Sequence, residues 1–163
     1  MKKTKGFLTI FLDVDGVLNK ESDWRSQFSL NEECVNAFVS LWNDLSKIYI
    51  PSLVIVSTWR AGKGKEQNTD SYNYLENTLR SHGIKILGLT PVSNKGRQNE
   101  IDYYRRRNHV MDYIIIDDDI SLYEHPEDVL IFCPDYKTGL TMKDIKVIKR
   151  MIVKHPQNGS MWL

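Results

Sequence analysis

The chain of 163 residues carries 22 Lys and Arg against 21 Asp and Glu, and 41% of it is hydrophobic. This size and balance fit one globular domain over residues 1–163 with a sizeable core, and nothing in the overall charge marks a nucleic-acid or membrane-surface binder. Cys34 and Cys133 lie far apart, which argues against a disulfide framework or thiolate zinc site and for a reducing, cytoplasmic location. No apolar run is long enough to span a bilayer, and the apolar stretch after the basic start contains Asp13 and Asp15 without a cleavage site, so no membrane span or signal peptide is expected.

Residues 7–14 are mostly apolar and predict a buried strand. Residues 31–47 carry Val35, Phe38, Val39, Leu41, Trp42 and Leu45 at helical spacing, with Asn31 as the N-cap. A second continuous apolar strand follows at 53–57, then a helix at 71–82 that Gly83 ends. A short third strand is expected at 84–87, a polar-faced helix at 97–107, and the most apolar strand at 113–116. A fifth strand at 129–132 and a closing helix at 142–154, with Ile145, Ile148, Met151 and Ile152 on one side, complete the pattern. Alternating strands and helices, with strands apolar on both faces, predict an α/β fold: a parallel sheet of about five strands covered by helices on both sides, joined by right-handed crossovers.

Ligands in such sheets sit at the carboxyl ends of the strands. The residues there are Asp13 and Asp15 after the first strand, Ser57, Thr58 and Arg60 after the second, Lys95 beyond the third, and Asp117, Asp118 and Asp119 after the fourth. Carboxylates from two strand ends would repel unless a cation intervenes, and an all-oxygen ligand set selects a hard ion, with Mg²⁺ the usual choice beside phosphate. Asp13 and Asp15, spaced i and i+2, would share one face of a strand, with Gly16 marking where the strand breaks. One carboxylate could then attack phosphorus while its neighbour moves a proton, and Ser57 and Lys95 would hold the phosphoryl oxygens.

The segment Asp13-Val14-Asp15-Gly16-Val17-Leu18 resembles the first motif of the haloacid dehalogenase (HAD) superfamily of phosphatases. The run ending in Ser57-Thr58 is similar to its second motif, Lys95 to its third, and Ile114-Ile115-Ile116-Asp117-Asp118 to its fourth. The resemblance implies a three-layer, Rossmann-like HAD fold without a large cap and a Mg²⁺-dependent phosphomonoesterase. Asp13 would be its nucleophile, Asp15 its general acid and base, Ser57 its phosphoryl-binding hydroxyl and Lys95 its neutralising cation. Mg²⁺ would be held by Asp13, the backbone carbonyl of Asp15, Asp117 and Asp118, with Asp119 starting a helix or standing behind them. Thr58 competes with Ser57 for the phosphate. With Ser57-Thr58-Trp59-Arg60, Lys95-Gly96-Arg97 and Thr138-Gly139-Leu140-Thr141, the chain resembles more narrowly a group of small HAD proteins associated with RNA repair. That resemblance implies a nucleic-acid end or nucleotide as substrate. A phosphorylated small metabolite, or a catalytically reduced phosphate-binding module, is the alternative. A dehalogenase is disfavoured because halide, unlike an alkoxide, needs no proton from Asp15.

Gly16, Thr58, Trp59 and Arg60 are the candidate substrate-side residues, although Arg60, Lys63 and Lys65 also read as solvent-exposed charges. Trp24 and Trp59 flank motif loops and could stack on a base or cover the site, whereas Trp42 has the spacing of a core residue. Residues 20–30 are too short for a lid domain, but they and the 61–69 loop, with Gly62-Lys63-Gly64-Lys65, could fold over the site. Arg105-Arg106-Arg107 fit a helix C-terminus, and Lys143, Lys146, Lys149 and Arg150 a solvated helix face. The four histidines have no ligand spacing.

Overall fold

A computed structural model describes residues 4–26, 29–60 and 70–154; the 61–69 loop, with its lysines, and His155 lie outside the described residues. Five strands, β1 (Gly6–Leu12), β2 (Tyr49–Ile55), β3 (Ile86–Leu89), β4 (Tyr113–Ile116) and β5 (Ile131–Phe132), form one sheet in the order β3-β2-β1-β4-β5. Every neighbouring pair is parallel. Four helices, α1 (Glu32–Ser46), α2 (Asp70–Ser81), α3 (Arg97–Arg107) and α4 (Met142–Lys154), cover it. No large cap is inserted among the described residues.

The side-chain period of two explains why both faces are apolar. Leu8, Ile10 and Leu12 of β1, Leu53 and Ile55 of β2, and Ile114 and Ile116 of β4 join one core, which α1, α2 and α4 close. Their alternates Phe11, Val54, Tyr113 and Ile115 join a second, smaller core with Ile101 of α3. Phe11 meets the rings of Tyr104 and Tyr113 edge-on there. The helices end where local chemistry requires it. Asn31 caps α1 by accepting from the N–H groups of Glu33 and Cys34. After α2, Gly83 at φ +77° lets Ile84 N–H return to Leu79 O and Gly83 N–H to Arg80 O, a Schellman closure.

The strand boundaries differ from expectation in a way that matters for the site. β1 ends at Leu12, two residues early. Asp13 N–H still bonds Ile116 O across the sheet, but Val17 and Leu18 N–H both fold back to Val14 O. The tight turn needs Gly16 at φ +78°. Asp13 and Asp15 therefore do not share a strand face; Asp13 is the last residue tied to the sheet, and Asp15 rides the turn. β2 begins four residues earlier than expected, because Tyr49 to Ser52 still pair with Gly6 to Thr9 of β1.

Candidate active site

Strand order brings the first and fourth acidic segments together, since β1 and β4 are direct neighbours with Leu12 opposite Ile116. The chain turns away in opposite directions from this pair, which opens a crevice at the carboxyl ends. Asp13 and Asp117 are both buried there, and Asp118 is half-buried. One carboxylate oxygen from each of these three lies within 4.8 Å of the others. Gly16 allows that approach, because a Cβ at this position would overlap the Asp118 carboxylate.

Burial, and next the charge of Asp117, push the Asp13 pKa well above the ordinary carboxylate range, against the pull of Arg97. Asp118 is raised as well, chiefly by burial. A divalent cation fits among these three: the donors are all oxygen, converge from two strand ends and carry excess negative charge. Asp117 is already engaged, its Oδ2 accepting from Arg97 Nη1 at 2.7 Å and Tyr123 Oη at 2.8 Å and its Oδ1 from Asp119 N at 3.1 Å. Asp13 and Asp118 are thus the least committed carboxylates of the three. Asp119 caps the short turn at Ile120–Leu122 through Ser121 N, the helix-starting role expected of it.

Arg97 is the cation of this site, and the sequence reading missed it. Its Nη1 lies 2.7 Å from Asp117 Oδ2 and 3.4 Å from Asp13 Oδ1. Burial disfavours its charge, yet Asp13 and Asp117 outweigh that and raise its pKa. Lys95, expected in this role, is exposed two residues earlier, its N–H on Ser93 Oγ and its carbonyl on Asn99. Helical side chains tilt toward the N-terminus, so the first residue of α3 reaches back over the rim while Lys95 precedes the helix. The readable signal was a cation at a helix N-terminus, where the dipole disfavours it.

Asp15 is clamped from two sides. Its Oδ1 accepts from Asn19 Nδ2 at 2.8 Å, and its Oδ2 from Trp59 Nε1 at 3.1 Å. Its side chain is not part of the metal-competent group, which leaves any part in holding a cation to its backbone carbonyl. Asn19 is buried and makes four bonds, donating to Asp15 and Ser29 O and accepting from Gly16 N and Trp24 Nε1. Its place in the motif does not by itself announce this role. Trp59, a candidate for base stacking, is buried and serves Asp15 instead. Gly16, expected against substrate, gives its N–H to Asn19.

At the end of β2, Ser57 is buried and its Oγ accepts from Trp59 N, while Thr58 is exposed. Val56 N–H bonds Leu12 O, so Ser57 emerges beside Asp13. Arg60 is neither a solvent-exposed charge nor turned to the rim. Its guanidinium is inside the protein, 2.7 Å from Glu100 Oε2 and bonded to the carbonyls of Val56, Ser57, Thr90 and Pro91. Glu100 Oε1 accepts Ser93 N–H, so the pair fastens the loop before α3 to the end of β2.

A family model for the HAD domain of Swiss Army Knife RNA repair proteins matches residues 9–145. The chain belongs to that family. The matched stretch begins in β1 and ends in α4, so it includes every residue of the candidate site described above. HAD proteins generally use Mg²⁺, in keeping with the three-carboxylate group here. No curated protein matches the chain. No helix among the described residues is long and apolar enough to cross a membrane.

Proposed function

We propose that the protein is a Mg²⁺-dependent phosphomonoesterase that removes terminal phosphates from nucleic acids through an aspartyl-phosphate on Asp13. The observation that carries this reading is the convergence of Asp13, Asp117 and Asp118 on one point beside Arg97, with Asp15 held separately. The absence of a large cap among the described residues and the RNA-repair family support a bulky, nucleic-acid substrate.

Asp13 Oδ attacks phosphorus as the bond to the leaving oxygen breaks, and Asp15, as the acid, gives that oxygen its proton. Asp15 then takes a proton from water, whose oxygen attacks phosphorus and releases Asp13 and inorganic phosphate. Asn19 and Trp59 keep the Asp15 carboxyl aimed through both steps, so the proton donor is oriented before substrate arrives. Arg97 balances the negative charge that builds on the phosphoryl oxygens, and the Ser57 hydroxyl donates to one of them. Asp13, Asp118 and Asp117, with the Asp15 carbonyl, would hold Mg²⁺, which supplies charge neutralisation of nucleophile and phosphate.

Phosphate release from 3′- and 5′-phosphorylated oligonucleotides, mononucleotides and sugar phosphates tests this. Oligonucleotide ends are expected to be preferred, with activity lost in EDTA. Asp13→Asn is expected to lower kcat by at least about 10³-fold. Activity surviving that substitution sinks the site. Equal or better turnover of sugar phosphates replaces the nucleic-acid substrate with a small metabolite.

A further inference from the structure

Trp24 and Tyr136 stand apart from the other aromatics near the rim. They come from different loops, one after β1 and one after β5, and stack with centroids 6.0 Å apart at 18°. Both stay open to solvent, 44% and 39% exposed. Trp59 and Tyr72, by contrast, are buried.

The pair is rigidly tied to the proton-transfer carboxylate. The indole N–H of Trp24 is fixed on Asn19 Oδ1, and the amide of the same Asn19 holds Asp15 Oδ1. Tyr136 O accepts Glu21 N–H, which joins the two loops. Beyond Tyr136, Gly139 at φ +61° presses on Asn19 O and Cys34 Sγ so closely that a Cβ would collide, and Leu140 N–H bonds Val17 O. Both rings are therefore referenced to the turn that carries Asp15. Arg25 follows Trp24 and Lys137 follows Tyr136, while Asp23 and Asp135 precede them, so the charge beside the rings is balanced and the aromatic faces themselves are what the pair offers.

We propose that Trp24 and Tyr136 form a stacking platform for the terminal nucleobase of the phosphorylated strand. The inference rests on the phosphatase reading above and adds the residues that select the substrate. Stacking accepts any base, since each has a π-face, so the platform would recognise an end without reading its sequence.

Two strands that differ only in whether the terminal phosphorylated nucleotide carries its base or is abasic provide the test. Wild type is expected to favour the base-bearing end in kcat/KM by about 5- to 100-fold, the range of one base–aromatic stack. Trp24→Ala and Tyr136→Ala should each shrink that ratio, and Trp24→Phe, which keeps a ring but loses the bond to Asn19, should preserve most of it. An independent readout is 2-aminopurine at the terminal position, whose fluorescence should be quenched on binding to Asp13→Asn and less so to Asp13→Asn/Trp24→Ala. Equal turnover of both ends by wild type, an unchanged ratio in Trp24→Ala, or quenching that survives it overturns the platform while leaving the phosphatase reading intact. No turnover of any phosphate by wild type, with quenching that depends on Trp24, overturns the phosphatase reading and keeps the platform.

Discussion

Two arginines near the carboxyl ends of the strands are largely enclosed, and their surroundings differ in kind. Arg60 spreads its donors over one carboxylate, Glu100, and four backbone carbonyls, and its side chain is only 4% exposed. Burial pulls its pKa down, with Glu100 offsetting part of that. Arg97 is 12% exposed at the side chain and faces two carboxylates, Asp13 and Asp117, which raise its pKa although burial opposes them. Among the described residues only its Nη1 is engaged, so the rest of the fork is available to a phosphoryl group. Arg60 holds β2 to α3, whereas Arg97 completes a site that still has valence to offer.

The largest effect that tests this contrast falls on stability. Arg60→Ala leaves Glu100 buried without its cation and is expected to cost about 3–5 kcal/mol in denaturant unfolding. The double variant Arg60→Met/Glu100→Gln should recover much of that loss, because the uncompensated charge is gone. A double variant no more stable than Arg60→Ala would mean that the carbonyl contacts, not the ion pair, fasten the loop. Arg97→Ala should behave in the opposite way. We expect kcat to fall about 10²- to 10³-fold, the cost of losing one preorganised charge partner, with Mg²⁺ still raising the thermal midpoint. If Arg97→Ala unfolds the protein while Arg60→Ala spares it, the two roles are exchanged.

The difference between the arginines was not legible in the sequence, although most of the fold was. Strand positions follow from residues that alternate between two cores, as Ile10 and Phe11 do, and this leaves a continuous apolar run that is hard to mistake. The helix at Arg97–Arg107 and the strand at Tyr113–Ile116 fall where the pattern put them. Asp13, Asp117 and Asp118 could be placed because a strand end fixes where the next residue lies. Asn19, Trp59, Arg60 and Arg97 could not, because their side-chain directions depend on a turn at Gly16, a single helical turn at Thr58–Arg60 and the first turn of α3. One residue of phase in such short elements exchanges an inward side chain for an outward one. That is how Lys95 and Arg97 trade roles on paper, and how Trp59, expected beside substrate, turns inward to Asp15.

A smaller effect concerns the pH dependence of the metal-free protein. The folded pKa of Asp13 is raised, so the native state holds a proton that the unfolded chain releases near 3.8, the ordinary value. Stability from this group is complete below that value and is lost as pH rises through the folded one. Asp118, raised in the same way, adds to the trend. Metal-free wild type should therefore lose thermal stability as pH rises above 3.8 more steeply than Asp13→Asn, whose midpoint should lie a few degrees higher at the alkaline end. Mg²⁺ must displace that proton, so its stabilising effect on wild type should grow with pH. Melting curves with and without metal measure both slopes, and parallel curves for wild type and Asp13→Asn would remove Asp13 as their source.

The smallest effect is expected at Lys95. An exposed ammonium acts on phosphate through water, where a single charge pair at contact is worth about 1 kcal/mol, so Lys95→Ala should lower kcat/KM only about 5-fold. That loss should fade as salt rises from about 0.05 to 0.5 M, since screening reaches exposed charges first. The Arg97→Ala loss should persist over the same range, because Arg97 works in a crevice lined by buried carboxylates. A salt-resistant loss at Lys95 as large as that at Arg97 would mean that the start of α3 rearranges when substrate binds. Gly96, at φ +91° between the two cations, is the residue whose backbone would absorb such a movement, and Gly96→Ala would then suppress it.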